Sequence, residues 1–191
     1  MKDEYANYVD HPRFGRRPHV TGLNPESDFT TGQPFLHWNA TDRIPNTAIE
    51  ADLSRQSRAT VAVTHYYDVR RTCRDCGRPF IFFAQEQKHW YEELGLPLEA
   101  DCVRCVPCRR RQHGIAAKRE RYEELFHVPA RSAEEHLEMA DCCLSLIEAD
   151  IFDPRQTAHV RELLKRADAL SGPTESSMQL RARLTAVESR R

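Results

Sequence analysis

A regular alternation of apolar and polar side chains marks residues 59–72 as a β-strand. The positions on one face are mostly apolar or aromatic: Val61, Val63, His65, Tyr67 and Val69. The positions on the opposite face are mostly polar: Thr60, Thr64, Tyr66, Asp68 and Arg70. A second short strand, apolar on both faces, is predicted from Phe80 to Phe83. Because a short polar segment separates the two strands, the pattern predicts a β-hairpin.

Helical patterns follow this hairpin. Residues 85–94 are predicted to form a short helix that ends at Gly95, with Pro97 beyond it, which is a typical stop signal. In the last third of the chain, Ser132 and Glu135 have the spacing of a capping box, which predicts the start of a second helix. The apolar stripe of that helix consists of Ala133, Leu137, Ala140, Leu144 and Ile147.

Two more helices are predicted towards the C-terminus. Asp153 is a typical N-cap and Pro154 is tolerated in a first helical turn. The apolar stripe after them consists of Val160, Leu163, Leu164, Ala167 and Leu170. Gly172 and Pro173 end this helix. A third, weaker stripe follows at Leu180, Leu184 and Val187. Since short links favour antiparallel neighbours, residues 128–191 are expected to form a helical, hairpin-like C-terminal region.

The first 58 residues show no apolar stripe of either period. Their prolines interrupt any helix: Pro12, Pro18, Pro25, Pro34 and Pro45. The segment nevertheless carries large apolar side chains that a pure linker lacks: Phe14, Phe29, Phe35, Leu36 and Trp38. We therefore expect residues 1–58 to form an extended, partly disordered arm. Its aromatic side chains are expected to dock on the chain's own domain, with docking on a partner as the alternative.

Composition restricts the class of protein. The chain has 191 residues, of which 40% are hydrophobic and 30% charged, which suits one or two small domains. The net charge of −1 creates no strong field towards nucleic acid or membrane. The charge is uneven, with +4 over residues 65–121 and −4 over residues 122–191. We see no secretory signal and no apolar run long enough to span a bilayer, so we expect a cytoplasmic protein without a membrane partner.

Cysteine spacing is the strongest chemical signal. Two C-x-x-C turns without a secretory signal favour zinc over disulfides. Cys73 and Cys76 form the first turn, and Gly77 after them suits a tight knuckle. The second turn is ambiguous because Cys102, Cys105 and Cys108 are spaced by three residues each.

The second pair is placed by the helix expected to start nearby. Pro107 suits the first turn of a helix over the following arginines, where Cys108 would also be stabilised as a thiolate. This favours Cys105 with Cys108, as in a treble clef, and leaves Cys102 as the alternative to Cys105. His65, His89 and His113 remain alternative fourth ligands, although packing or solvation is the ordinary role of such residues. The expected cofactor is one structural Zn²⁺.

The pattern between the knuckles resembles a known family. The matching residues are Cys73, Cys76, Gly77, Phe80, Glu86, Gln87, Trp90, Tyr91, Gly95, Arg104, Cys105, Cys108 and Arg109. Together they are similar to the bacterial probable zinc-ribbon domain family, over roughly residues 66–113. The resemblance implies that Cys73, Cys76, Cys105 and Cys108 are the zinc ligands. It implies a fold and a metal but no activity, and Cys102 departs from the family pattern.

The candidate site gives no indication of catalysis. Four thiolates would close the coordination sphere of zinc, whereas a catalytic metal needs an open position. We find no motif of a metalloprotease, a zinc deaminase or a serine hydrolase, and we expect no enzyme activity and no small-molecule substrate. Glu86 and Gln87 are expected to orient their helix against the knuckle, with Trp90 and Tyr91 covering the site. Cys142 and Cys143 are expected to be buried as small apolar side chains.

Three functions remain open for an α+β protein with a small zinc-ribbon or treble-clef-like core. The predicted parts are the arm over residues 1–58, the zinc domain over residues 59–127 and the helical region over residues 128–191. The favoured function is non-catalytic binding of a protein partner. The first alternative is nucleic-acid binding through a basic cluster: Arg104, Arg109, Arg110, Arg111, Lys118 and Arg119. The second alternative is a redox or zinc sensor that uses Cys102 as a loose thiol.

Overall fold

The computed structural model describes residues 3–25, 42–57 and 63–189. The chain divides into two compact units, Met1–Arg109 and Arg110–Arg191. None of the described helices is both long enough and apolar enough to cross a membrane.

The first unit contains two small antiparallel sheets. Strand β1 (Ile49–Glu50) pairs with β2 (His65–Tyr66), with Ile49 opposite Tyr66. Strand β3 (Val69–Thr72) pairs with β4 (Pro79–Phe82), with Val69 opposite Phe82. The second sheet is the predicted hairpin, and the first cysteine pair lies in its turn.

The single strand predicted over residues 59–72 is wrong. The described part forms β2 and β3, which are separated by Tyr67 and Asp68, whereas Thr60 and Val61 lie outside the described residues. The predicted polar face is also wrong, because Tyr66 and Asp68 are fully buried. The reason is that Asp68 is satisfied inside the protein by backbone donors rather than by water.

Asp68 connects three segments of the first unit. Its carboxylate accepts hydrogen bonds from the backbone N–H of His19 and of Ala84, both at 2.8 Å. Its own backbone N–H donates to Thr47 Oγ1 at 3.0 Å, and its carbonyl accepts from the N–H of Ile44 at 2.8 Å. Burial raises the pKa of this carboxyl group, and the two backbone donors offset part of that cost. The Asp68 carboxylate thus fixes the N-terminal segment at His19 and the start of the segment at Ala84.

The N-terminal segment packs on other parts of the first unit. Residues 3–25 contain turns and a short bridge between His11 and Gly15. The Phe14 ring packs on the buried Phe83, with ring centroids 5.3 Å apart. Docking on the chain's own domain is therefore confirmed for Phe14, because apolar burial outweighs the cost of ordering the segment. The other large apolar residues of the prediction lie outside the described residues: Phe29, Phe35, Leu36 and Trp38.

The short helix after the hairpin is confirmed, with one irregularity. Helix α1 spans Ala84–Lys88 and continues as one wide π-type turn over His89–Glu93. Gly95 follows with φ of 65°, a left-handed conformation that glycine adopts without strain. The N-cap residue of α1, Phe83, has no capping side chain of its own. Asp68 supplies the missing acceptor because it binds the N–H of Ala84.

The C-terminal region over residues 128–191 is helical, as predicted. Helix α2 spans Val106–Phe126, and the boundary between the two units lies within it. Helices α3 (Ala133–Glu148), α4 (Thr157–Ser171) and α5 (Glu175–Glu188) follow. Their shared core contains most of the predicted apolar stripes: Ala140, Leu144, Ile147, Val160, Leu163, Leu164, Leu180 and Leu184. The prediction is wrong for Leu170, which lies in the last turn of α4 and is exposed.

Local capping explains where these helices begin. Ser132 and Glu135 form the predicted capping box at the start of α3. Asp153 accepts a hydrogen bond from the N–H of Arg155 and starts one 3₁₀ turn, Pro154–Gln156, before α4. Cys142 and Cys143 are buried in α3, as expected for small apolar side chains.

Candidate metal centre

The first knuckle is formed by the turn between β3 and β4. The N–H of Gly77 donates to the carbonyl of Cys73 at 2.9 Å, and the N–H of Cys73 donates to the carbonyl of Arg78 at 2.9 Å. Gly77 has φ of 68°, so the predicted need for glycine at this turn is confirmed. These bonds hold Cys73 and Cys76 on the same side of the hairpin.

The second knuckle lies at the start of α2. Cys105 directly precedes the helix, Pro107 is its second residue and Cys108 lies in its first turn. The N–H of Arg109 donates to the carbonyl of Cys105 at 2.9 Å, which closes that turn. Proline costs nothing here because the first N–H groups of a helix have no partner within it.

The two knuckles bring four sulfur atoms together. The Sγ atoms of Cys73, Cys76, Cys105 and Cys108 all lie within 4.8 Å of one another. The Sγ atoms of Cys76 and Cys105 are 3.8 Å apart. Four sulfurs in a tetrahedron around Zn²⁺, each about 2.3 Å from the metal, would be separated by about 3.8 Å. The residues therefore fit one zinc ion, which is the structural cofactor of this domain.

Backbone donors favour the thiolate form of Cys73. The N–H of Cys105 points at Cys73 Sγ at a distance of 3.4 Å. Burial would raise the pKa of Cys73, but this N–H, the N–H groups of Cys76 and Asp75 and the side chain of Cys76 outweigh it and lower the pKa to about 6. Bound zinc requires deprotonated cysteines, so these donors act in the same direction as the metal. At the second knuckle, burial raises the pKa of Cys105 and of Cys108, so the expected stabilisation of Cys108 as a thiolate at the helix start is not found, and deprotonation there depends on the metal itself.

Cys102 lies outside the ligand cluster. Its Sγ donates to the carbonyl of Arg104 at 3.4 Å, and its side chain is buried in the core of the first unit. Burial raises the pKa of this thiol to about 12. The choice of Cys105 over Cys102 as ligand is therefore supported by the geometry, and none of the predicted alternative histidines belongs to the sulfur cluster.

Glu86 attaches helix α1 to the second knuckle. Its carboxylate forms an ion pair with the guanidinium of Arg109, the residue that follows the ligand Cys108. The same guanidinium lies over the ring of Trp90, 4.9 Å from its centroid. This arrangement explains why acidic and aromatic residues stand between the two knuckles. They hold the start of α2, and hence the second pair of cysteines, against α1.

Gln87 braces the other side of α1. Its side chain is fully buried, and its Nε2 donates to the carbonyls of Tyr67 and of Phe82, the latter at 2.9 Å. Since these carbonyls belong to the segments before β3 and at the end of β4, Gln87 fixes the helix to the hairpin that carries the first knuckle. The expectation that Glu86 and Gln87 orient their helix agrees with these contacts.

Replacing Glu86 by glutamine is expected to lower the free energy of unfolding by about 2 kcal/mol, because it leaves the poorly exposed guanidinium of Arg109 without its counter-charge. Urea unfolding of the zinc-loaded chain measures this change. The matched control is Glu93→Gln in the adjoining turn, whose exposed pair with His89 should be worth less than about 0.5 kcal/mol. Equal destabilisation by both changes would refute the anchoring role of Glu86.

Acidic side chains pair with several basic residues of the predicted nucleic-acid surface. The ion pairs are Arg104 with Asp75, Arg109 with Glu86, Lys118 with Asp141, and Arg119 with Glu123. Arg110 and Arg111 are exposed. Acidic residues therefore balance most of the positive charge of this basic cluster. Three of these acidic residues are distant in sequence, and Glu123 lies one helical turn from Arg119.

Sequence reasoning missed Asp68 as an organising residue of this site. It was assigned to a polar strand face, yet it binds the first N–H of α1. A signal was available, because an acidic residue among Tyr66, Tyr67 and Val69 breaks an apolar run and needs an internal partner. The identity of that partner depends on contacts 16 and 49 residues away.

A cysteine knuckle in a hairpin turn, followed by a cysteine pair at the start of a helix, defines a zinc-binding treble clef. Residues 67–116 match the family model described as a probable treble clef domain. The predicted family resemblance, drawn over residues 66–113, is confirmed for this segment. No curated protein and no solved structure matches the chain.

Proposed function

We propose that this chain is a non-catalytic interaction protein that binds a protein partner, with zinc stabilising its treble clef. The chemistry of the surface carries the proposal. Basic side chains of the cluster are paired within the chain, whereas several large apolar side chains are exposed: Phe126, Ile151, Leu170 and Met178. Exposed apolar side chains favour contact with another protein over contact with phosphate groups.

The metal site supports a structural role. Its four thiolates fill the coordination sphere, so zinc would have no position for a substrate or an activated water. Zinc would supply folding energy that a small core lacks. Glu86 is paired with Arg109, and Gln87 donates to the carbonyl of Phe82. Because these contacts position α1, neither side chain is proposed as a proton donor or acceptor at the metal.

The ion pairs of the basic cluster argue against nucleic-acid binding as the main role. A phosphate contact made by Arg104 or Lys118 would have to replace an existing carboxylate partner. The burial of Cys102 likewise argues against the sensor alternative, since a reactive thiol needs both access and a low pKa.

The proposal predicts capture of a protein that survives nuclease treatment when the tagged full chain is purified from its native host. Capture should weaken in the double variant Leu170→Ser, Met178→Ser and persist in Val20→Ser, an exposed apolar residue of the other unit. Binding of purified chain to single- and double-stranded nucleic acid should be absent even at low salt. Nuclease-sensitive capture, with binding that falls steeply as salt rises, would instead support the nucleic-acid alternative.

A further inference from the structure

A surface pocket of about 370 Å³ lies in the second unit, between the α2–α3 link and the end of α4. Pro129 and Arg131 come from the link, His136 from the first turn of α3, and Arg166 and Leu170 from the last turns of α4. The volume lies in the usual range for ligand sites. None of these residues takes part in the zinc site.

Two guanidinium groups give the pocket a local positive charge. Arg131 donates to the carbonyls of Leu125 and Phe126, which fixes the side chain at the end of α2. In the described part of the chain no carboxylate pairs with Arg131. Arg166 forms an ion pair with Glu162, one turn away on the same helix, and because both side chains are exposed this pair is weak and can be exchanged for another carboxylate. This positive charge stands in a region, residues 122–191, whose net charge is −4.

His136 forms part of the pocket wall. Its side chain is only 6% exposed, and its buried Nδ1 has no partner among the described residues. Burial, followed by the charges of Arg131 and Arg166, lowers the pKa of this ring, so that it is neutral at neutral pH.

The remaining wall of the pocket is apolar. Pro129, Ala169 and Leu170 lie beside the two arginines, and Leu170 is among the most exposed apolar side chains of this unit. A bare phosphate would leave this wall in contact with water. A carboxylate joined to an aliphatic side chain would use the guanidinium groups and the apolar wall together.

We propose that this pocket binds the C-terminal carboxylate of a partner polypeptide that ends in an aliphatic residue. Arg166 and Arg131 hold the carboxylate, and Pro129, Ala169 and Leu170 contact the last side chain. Capture of a terminal carboxylate is a known mode of peptide recognition. This inference rests on the proposed protein-binding function and adds to it the kind of partner and the place of contact.

The test uses the zinc-loaded full chain and fluorescein-labelled hexapeptides that end in Ala-Leu, Ala-Val or Ala-Ile, each as the free acid and as the C-terminal amide. Fluorescence anisotropy should show that the amides bind at least about tenfold more weakly, as expected for loss of a charged hydrogen-bonded pair. Arg166→Gln should weaken binding of the free acids by a similar factor.

The matched control is Arg161→Gln. Arg161 lies on the same helix, is equally exposed and also forms one ion pair, with Glu188, but it does not line the pocket. The Arg161→Gln variant should bind the free-acid peptides with the affinity of the wild type. Arg131 is left unchanged in the test because it also holds the end of α2. Glu162→Gln should bind as well as the wild type or more tightly, because it releases Arg166.

Equal binding of acids and amides, no binding of any free acid, or wild-type affinity of Arg166→Gln would each overturn the inference. These results are distinct from failure of the proposed function. If nuclease-resistant protein capture persists while every peptide fails, the pocket is not the contact and the function stands. If no protein is captured from the host, the function itself fails, and with it the inference.

Discussion

Replacing Cys105 by alanine is expected to abolish zinc binding and to unfold the zinc-bearing unit, Met1–Arg109. Structural zinc contributes about 10–16 kcal/mol to the folding of small zinc domains at neutral pH. A small domain is stable by only about 5–15 kcal/mol in total, so loss of the metal should exceed what the rest of the unit supplies. Metal analysis should fall from one zinc per chain to none, and limited proteolysis should cut within residues 3–109.

Cys102→Ala is the control for this change. The two thiols lie in the same loop and are equally buried, at 1% for Cys102 and 2% for Cys105, so both changes remove a similar apolar volume. Only Cys105 belongs to the sulfur cluster. The Cys102 variant should keep one zinc per chain with a modest loss of stability. Loss of zinc from this variant, or its retention by the Cys105 variant, would contradict the ligand assignment.

The local features of the site could be read from the sequence because each depends on a few neighbouring residues. The spacing of Cys73 and Cys76 with Gly77 describes one tight turn, and Pro107 with Cys108 describes one helix start. These turns determine which sulfurs can point the same way. The capping residue Ser132 similarly places the start of α3, because capping is also a local interaction.

Long-range contacts were not predictable from the pattern. The arm was expected to dock on the chain's own domain, but its pattern did not identify the surface: Phe14 packs on Phe83, a residue 69 positions away. Asp68 was placed on a polar strand face because alternation assumes that polar side chains point to water. Its two backbone partners lie in segments with no sequence signal for that contact.

The basic cluster illustrates the same limit for function. A count of arginines and lysines gives residues 65–121 a charge of +4, which suggests a phosphate-binding face. The structure pairs Arg104 with Asp75 and Lys118 with Asp141, so part of this charge is balanced where it stands. The sequence gives the net charge of a segment, whereas phosphate binding depends on how many basic side chains lack an acidic partner in the folded protein.

Replacing Asp68 by asparagine is expected to destabilise the first unit markedly. Each carboxylate oxygen accepts one backbone N–H, from His19 at Oδ2 and from Ala84 at Oδ1. An amide of the same shape presents an NH₂ group to one of these donors, so one backbone N–H loses its acceptor. We expect a loss of about 2 kcal/mol, since an unsatisfied buried donor costs about 1–3 kcal/mol and removal of a buried charge recovers part of it. Urea unfolding of the zinc-loaded chain measures the change.

Two further variants show whether the backbone donors cause this loss. Asp10→Asn changes an exposed carboxylate of the same unit and should alter the free energy of unfolding by less than about 0.5 kcal/mol. Asp68→Ala should cost more than Asp68→Asn, because both N–H groups then lose their acceptors. Hydrogen exchange should speed up at the amides of His19 or Ala84 in the asparagine variant. If Asp68→Asn leaves the free energy of unfolding unchanged, the cost of burying the charge equals the contribution of its hydrogen bonds. That result would refute the role of Asp68 as the acceptor that holds the N-terminal segment and α1 together.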